Sequence, residues 1–438
     1  MKTMFVATGV LTGLVAATAN AAADNPLSFS LKGTVSENLG YAGNDKLDGA
    51  GSTNKVANTA EQDDATVSAI VKAALDQDFS IALQADVYGT ASSLTRSAND
   101  ACRGTTPSVL SSRCASNLFL RRAYATVASP AGTLIVGQRE DATYIIHNGV
   151  PDVSPLARSG GGYFYYWVVA PANHRNLTVD NDSRYDDRGI KISYVTPSVN
   201  GLSAAATYVP RLSSSTGSGS AVPATASDYG LYLPGGQASG ADYGGDAFGG
   251  GLYYSSSVSG VGIKADSSVL QAGAGNLRVW QQGLQLLYAG FTLGGSSLIR
   301  DVPGNATING LYTDQAAATL AGAGATAAAV AQTALYAGNG YTLGLRYAIG
   351  PYSLSTVYFH DNSKSLAALN GSGRSDSTDF YDLGAAYDMG TPVDGGPKVT
   401  LRAGLGYVSY RGSIGNGAQP SANNNDGIAA VTGVKLDF

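Results

Sequence analysis

The chain of 438 residues has a formal charge of −5, and only 13% of its residues are charged. A balance this mild excludes the basic footprint of a nucleic-acid-binding protein, and so few charges suit a chain in which one face of each element meets an apolar medium. The 26 Tyr against 10 Phe and 2 Trp point the same way, because tyrosine concentrates at membrane–water interfaces.

The first 21 residues have the three parts of a secretory signal. Lys2 supplies positive charge, residues 6–17 are mostly apolar, and Ala19-Asn20-Ala21 offers small residues at a cleavage site. Residues 1–21 are therefore expected to be a signal peptide and 22–438 a single mature domain. No later stretch is a continuous apolar helix of the ~20 residues that a bilayer requires. Residues 316–337 come nearest, but Gly322, Gly324, Thr326 and Gln332 interrupt them, and they are placed in an outer loop. Strands that cross a membrane alternate, and give a far weaker hydropathy signal.

The mature chain alternates in this way from its start. Leu27, Phe29, Leu31, Gly33 and Val35 interleave with Ser28, Ser30, Lys32, Thr34 and Ser36, the period of a strand. Residues 67–75 and 79–87 repeat the pattern around the short turn Asp76-Gln77-Asp78. Residues 121–128 and 133–138 flank Ser129-Pro130-Ala131-Gly132, where Pro presets φ and Gly permits positive φ. Further pairs are 190–195 with 202–209, 248–257 with 261–270, 279–288 with 291–299, 341–349 with 352–360, and 380–389 with 399–410; residues 428–438 close the chain. The total is about sixteen strands, and bacterial single-chain barrels have an even number. Short turns alternate with long polar segments at 42–61, 91–117, 141–187, 211–245, 301–340, 361–378 and 412–426. This asymmetry predicts an all-β transmembrane antiparallel barrel with short periplasmic turns and long outer loops.

Several residues bear on function. By alternation Lys32, Lys72, Lys191, Arg346 and Arg402 fall on the polar face, where a water-filled lumen accommodates charge that the lipid face would not. The segment 141–187 is long enough to enter the lumen, and loops of that length are usually functional. Tyr163-Phe164-Tyr165-Tyr166-Trp167 within it is expected to pack against the wall. Asp180, Asp182, Asp186 and Asp187 offer oxygen ligands for Ca²⁺ but lack the EF-hand spacing, since Arg184 stands where the third ligand belongs; they are a weak calcium candidate, and no other metal or cofactor is indicated. Cys102 and Cys114 lie in one polar segment of an exported chain, which favours a disulfide over two free thiols. His147, His174 and His360 fall in no hydrolase motif, so no catalytic residue and no enzyme activity is expected.

The stretch Arg121, Tyr124, Gly132 and Val136-Gly137-Gln138-Arg139 resembles the corresponding hairpin of Gram-negative general porins. Asp187-Arg188-Gly189-Ile190-Lys191-Ile192-Ser193-Tyr194-Val195-Thr196-Pro197, with Gly201-Leu202 and Tyr208-Val209-Pro210, resembles another strand pair of that family. Val434-Lys435-Leu436-Asp437-Phe438 resembles the alternating, Phe-terminated end of outer-membrane barrels, so Val434, Leu436 and Phe438 are expected to carry an assembly signal. The resemblance implies a sixteen-stranded homotrimer in the outer membrane of a Gram-negative bacterium, with its third outer loop folded into the lumen. It implies a channel for passive diffusion of small hydrophilic solutes and ions; the alternative is a plugged structural or adhesive barrel. Arg121 matches the Arg of the family's pore-lining basic cluster. Asp141, Asp152 and Asp182 are the candidate acids of the constriction loop, Asp152 lying nearest the family's acidic motif, from which Pro151-Asp152-Val153-Ser154 departs. Expected partners are permeating solutes, outer-membrane lipids and two further copies of the chain, with no nucleic acid.

Overall fold

The computed structural model describes residues 27–44, 59–76, 78–92, 117–156, 164–168, 190–210, 246–272, 278–301, 337–364, 375–390, 396–412 and 424–438. The expected signal peptide at residues 1–21, Cys102, Cys114, His174, residues 316–336 and the calcium candidates Asp180, Asp182, Asp186 and Asp187 lie outside the described residues.

Sixteen strands close one antiparallel barrel in which each strand pairs with its sequence neighbours and the first pairs with the last. They are β1 (Leu27–Asn44), β2 (Thr59–Ala74), β3 (Ser80–Ser92), β4 (Asn117–Ser129), β5 (Gly132–Gln138), β6 (Ile190–Val195), β7 (Leu202–Val209) and β8 (Ala247–Val258). The second half comprises β9 (Val261–Ala272), β10 (Arg278–Tyr288), β11 (Phe291–Asp301), β12 (Ala337–Ile349), β13 (Tyr352–Lys364), β14 (Ser375–Asp388), β15 (Lys398–Gly412) and β16 (Asn425–Asp437). Closure removes the free edges that an open sheet exposes. Two single helical turns, α1 (Ala142–Ile145) and α2 (Phe164–Trp167), follow β5.

The short connections have the chemistry of two-residue hairpins. Ser259-Gly260 and Ala289-Gly290 hold positive φ at both central positions, as the twist of the flanking strands requires. A side chain at Gly290 would stand 2.5 Å from the Ala348 carbonyl oxygen, so both φ and space demand glycine there. The strands run further toward the long loops than alternation indicated: β2 begins at Thr59, not at residue 67. Its upper part reads Glu61, Gln62, Asp63, Asp64, with no apolar face to detect. Backbone pairing with β1 carries it instead, in register from Tyr41↔Thr59 to Leu27↔Ala73.

The distribution of apolar residues is the reverse of a soluble protein's. Leu284, Leu293, Leu343, Leu345, Leu354 and Leu383 are exposed on the outside of the barrel. Exposed aromatics border this band. Tyr41, Phe248, Trp280, Tyr341, Tyr381 and Tyr407 lie toward the long loops, and Phe79, Tyr288, Phe291, Tyr352 and Tyr387 toward the short turns. An apolar belt between two aromatic girdles is the surface of a barrel that spans a bilayer. On β16 the outward positions include Val434, Leu436 and Phe438. Phe438 pairs through its backbone with Gly33 of β1, N–H to O at 3.0 Å and O to N–H at 2.8 Å, so the last residue completes the closure.

Candidate functional site

The lumen is organised by the segment that leaves β5 and turns inward. Asp141 caps α1: its Oδ1 accepts from the Thr143 and Tyr144 amides at 2.7 and 3.1 Å. This satisfies two of the orphan donors of a helical start. Burial pushes the Asp141 carboxyl above the usual carboxylate range, while the bond from Thr143 and the charge of Lys191 pull it down. Lys191 is itself buried and donates to the Arg139 carbonyl oxygen. Two expectations are corrected here. Asp141 is a buried helix cap rather than an acid at a constriction, and Lys191 anchors the root of the segment rather than lining the pore. Alternation gave the correct inward direction for Lys191, but only the tertiary structure shows that protein covers that stretch of wall.

From α1 the segment runs around the inside of the wall, pinned strand by strand. On β9, Asp266 accepts from the Asn148 amide at 2.6 Å and its side chain at 3.1 Å, and bonds His147 Nδ1 at 2.9 Å. On β10, Gln285 donates to the Gly149 carbonyl oxygen at 2.6 Å. On β13, Ser355 Oγ accepts from the Val153 amide at 3.1 Å, and on β14 Asp382 accepts from Ser154 Oγ at 3.0 Å. Glycines lie under it. A Cβ at Gly294 would stand 2.5 Å from Pro151, one at Gly384 2.8 Å from Ser154, and one at Gly427 2.6 Å from Val168. Gly283 and Gly404 face Asn148 and Ser154 in the same way. The bare inner wall lets the segment lie in van der Waals contact with the backbone, which any side chain would prevent.

The far end of the segment is held by burial. Phe164, Trp167, Val168 and Leu156 form an apolar cluster inside the barrel with Phe359, Phe380, Val408, Tyr410, Ala429, Val431 and Ala42 of the wall. Phe164 stacks on Phe380 with ring centroids 4.5 Å apart, and Tyr410 Oη donates to the Val168 carbonyl oxygen at 3.0 Å. Packing is thus the role of Phe164 and Trp167, as expected. Full burial of side chains this size stabilises by roughly 1.5–3 kcal/mol each.

The wall of β3 and β4 carries a second arrangement. The pairing register slips between Asp86 and Val87, so that Arg122 stands opposite Asp86 and Leu120 opposite Val87. Arg121 is the extra residue of this bulge, and its side chain lies outside the described residues. The Arg122 guanidinium points inward. Its Nε lies 2.9 and 2.7 Å from the two oxygens of Glu140, and Nη1 lies 3.1 Å from Asp86 Oδ2. Gln84 donates to the other oxygen of Asp86 at 2.8 Å. Both acids are buried, whereas Arg122 remains partly exposed. Beside it the Arg139 guanidinium sits 4.8 Å from the ring centre of Tyr124, a cation–π contact. Sequence reading missed Arg122 because a bulge shifts alternation by one residue. Arg-Arg at 121–122 was the available signal.

Lys32, Lys72, Arg346 and Arg402 share the parity of buried or inward neighbours on their strands: Ser36 and Asn38 on β1, Gln62 and Asp64 on β2, Thr342 on β12, Val408 and Tyr410 on β15. Each lies near the short-turn end of its strand, below the inward segment and away from the β3–β4 arrangement. Arg346 donates to Ser353 at 3.1 Å and Arg402 to Asn38 at 3.3 Å. Asp152 is half-buried on the segment, between the pins on β10 and β13. His360 bonds Asp379 at 2.8 Å, and no group of three or more metal-ligating residues is present among the described residues.

Comparison with known proteins agrees with this architecture. The sequence profile of a family described as Gram-negative porin matches residues 7–417. No curated protein matches the chain significantly. Among solved structures, the chain is similar to the anion-selective porin from Comamonas acidovorans, with 14% identity over 94% of this chain and 100% of that one and a TM-score of 0.50. It is similar to the outer membrane channel DcaP of Acinetobacter baumannii, with 11% identity over 94% and 97% of the two chains and a TM-score of 0.51. It is also similar to Salmonella typhi OmpF, solved in complex with daunomycin, with 13% identity over 94% and 98% and a TM-score of 0.52. At these identities the structures speak for the fold, and the profile match speaks for the family. The chain belongs to the Gram-negative porin family and forms an outer-membrane channel for passive diffusion.

Proposed function

We propose that this porin is a homotrimer whose channels pass small hydrophilic solutes and ions between the inward segment and the β2–β4 wall. The observation that carries this reading is the placement of the segment's pins beyond its root, which run along β6–β16 to β1 and, among the described residues, leave the wall of β2 and β3 uncovered. Arg122, Arg139 and Tyr124 then line one side of the passage, and Asp152 approaches from the other.

The trimer reading rests on the outer surface. Ala65, Ala69, Ala85, Ala123 and Ala125 occupy outward positions of β2–β4 beside Val71, Leu83 and Leu120, so small residues are more frequent there than on the leucine-rich β10–β14. Glu37 is exposed on the outward face of β1, below Leu39 and Tyr41. A face with small residues and a carboxylate at membrane depth suits contact with another subunit better than contact with lipid, where ionised side chains are costly. The resemblance of residues 1–21 to a signal peptide implies export before assembly, and in that oxidising compartment Cys102 and Cys114 form a disulfide, worth up to ~3 kcal/mol for a short loop.

Planar bilayers test the channel geometry. Stepwise conductance in threes supports the trimer, and single steps oppose it. Asp152→Asn moves the reversal potential in a salt gradient toward anions, and Arg139→Gln moves it toward cations. Unchanged potentials in both variants would place the narrowing elsewhere. N-terminal sequencing and non-reducing mass spectrometry of mature protein check cleavage after Ala21 and the disulfide.

A further inference from the structure

Below the inward segment, the wall near the periplasmic mouth carries an uneven set of charges. Lys32, Lys72, Lys264, Arg346 and Arg402 point inward there from β1, β2, β9, β12 and β15, so they form a partial ring that runs from β9 through β16 to β2 and has none of its members on β3–β8. All five are exposed or half-buried. Among the described residues, Lys32, Lys72, Lys264 and Arg346 have no ion-pair partner. Among the described residues most acids at this end are engaged, and Asp78 is exposed in the β2–β3 turn. Asp437 bridges Lys435 at 2.7 Å, and Asp388 bridges Lys398 at 2.5 Å. Asp76 turns back to accept the Asp78 and Phe79 amides of its own turn at 2.8 and 2.7 Å. Asp266, on the same strand as Lys264, is buried beneath His147 and Asn148. Higher in the lumen Asp86 and Glu140 are buried under Arg122. The water in the lower lumen therefore meets Lys32, Lys72, Lys264 and Arg346 without an ion-pair partner among the described residues.

We infer that this ring makes the periplasmic mouth an anion-collecting vestibule that binds small polyvalent anions of the phosphate type and gives the channel direction-dependent conductance. The inference rests on the open-channel reading above. Charges of one sign in a low-dielectric cleft raise the local counter-ion concentration. Here the ring lies at one end of the path, so anions entering from the periplasmic side meet a filled reservoir and those entering from outside do not. Fixed charge placed off-centre along a pore makes its current depend on the sign of the voltage. A polyvalent phosphate such as tripolyphosphate binds the ring more strongly than chloride, and it lodges there as a plug reached from one side only.

The test uses the full-length protein in planar bilayers. Insertion is oriented by a biotin acceptor tag in the β8–β9 turn at Ser259-Gly260, where open space surrounds Gly260, and streptavidin marks the periplasmic face. At 0.1 M KCl, where the Debye length is about 10 Å, the current at opposite voltages is expected to differ by about two-fold or more. At 1 M, where it is about 3 Å, the asymmetry is expected to vanish. Sodium tripolyphosphate is expected to lower conductance from the periplasmic side only. The triple variant Lys72→Gln/Lys264→Gln/Arg346→Gln is expected to lose both effects while still conducting. Symmetric current at low salt in the wild type, or equal block from both sides, overturns the vestibule without any variant. Asymmetry that persists in the triple variant overturns its assignment to these residues. A silent membrane would instead remove the channel reading on which the inference rests.

Discussion

Ser154 Oγ donates a 3.0 Å hydrogen bond to Oδ1 of Asp382, a residue 228 positions further along the chain, and this bond fastens the inward segment to β14. The same Ser154 Oγ accepts from the Leu156 amide at 3.0 Å. The other oxygen of Asp382 is buried without a hydrogen-bond partner. Ser154→Ala leaves that carboxylate without the hydroxyl, at a cost of about 1–3 kcal/mol. The expected result is a lower temperature for loss of the folded form in gel mobility, with noisier open-channel current as the segment loosens. A Ser154→Ala channel as quiet and as heat-resistant as wild type would show that the apolar cluster alone holds the segment.

The glycine track predicts its own failures. Gly294→Leu drives a side chain into Pro151, which a Cβ would already approach to 2.5 Å. Overpacking of this kind costs about 1–3 kcal/mol. The segment is the softer partner, so single-channel conductance should change before the barrel fails to fold. Gly260→Ala is a contrast for crowding, because its Cβ meets nothing within 4 Å, and only the positive φ opposes it.

Arg122 and Lys72 should behave differently. Arg122→Ala removes the guanidinium from two buried acids, Asp86 and Glu140, and breaking a buried pair from one side costs roughly 3–5 kcal/mol. Folded yield should fall sharply. Arg122→Lys should recover only part of it, since an ammonium cannot reproduce the forked contact with Glu140. Lys72→Ala, at an exposed lysine with no ion-pair partner among the described residues, should leave heat stability near wild type. Equal losses in the two alanine variants would refute this division.

Asp141 sets a pH dependence with a definite sign. Burial raises its folded-state pKa above the unfolded value, so the folded state binds its proton more tightly. That stabilisation is full below the unfolded pKa and is lost as pH rises through the raised folded value. Asp141→Asn keeps an acceptor at the cap and removes the titration. Thermal denaturation followed from about pH 4 to pH 8 should fall more steeply for wild type than for the Asn variant. Parallel curves would mean that Asp141 does not titrate in this window.

Removal of Phe438 deletes the residue whose backbone pairs with Gly33 in both directions. Its ring also occupies the space above Gly33, where a Cβ would collide with it. The expected outcome is a reduced amount of folded, heat-modifiable protein in the outer membrane. Unchanged levels would place the assembly information elsewhere on β16.

The sequence by itself determined the barrel. Period-2 alternation, turn pairs such as Ser259-Gly260 and Ala289-Gly290, and the alternation of short turns with long loops are local signals, and a closed sheet needs little beyond them. It also determined which face Lys32, Lys72, Arg346 and Arg402 present, because parity along a strand survives folding. Only the tertiary structure decided what that face meets. Lys191 has the same parity but is covered by the segment, and Asp141 became a cap because the chain turns inward immediately after Glu140. Arg122 turns inward at a one-residue slip that alternation along the strand does not register. The glycines of β10–β16 look like weak strand residues in sequence. Their purpose appears only when a segment from elsewhere in the chain lies against them, since close approach is a property of two surfaces and each records only half of it.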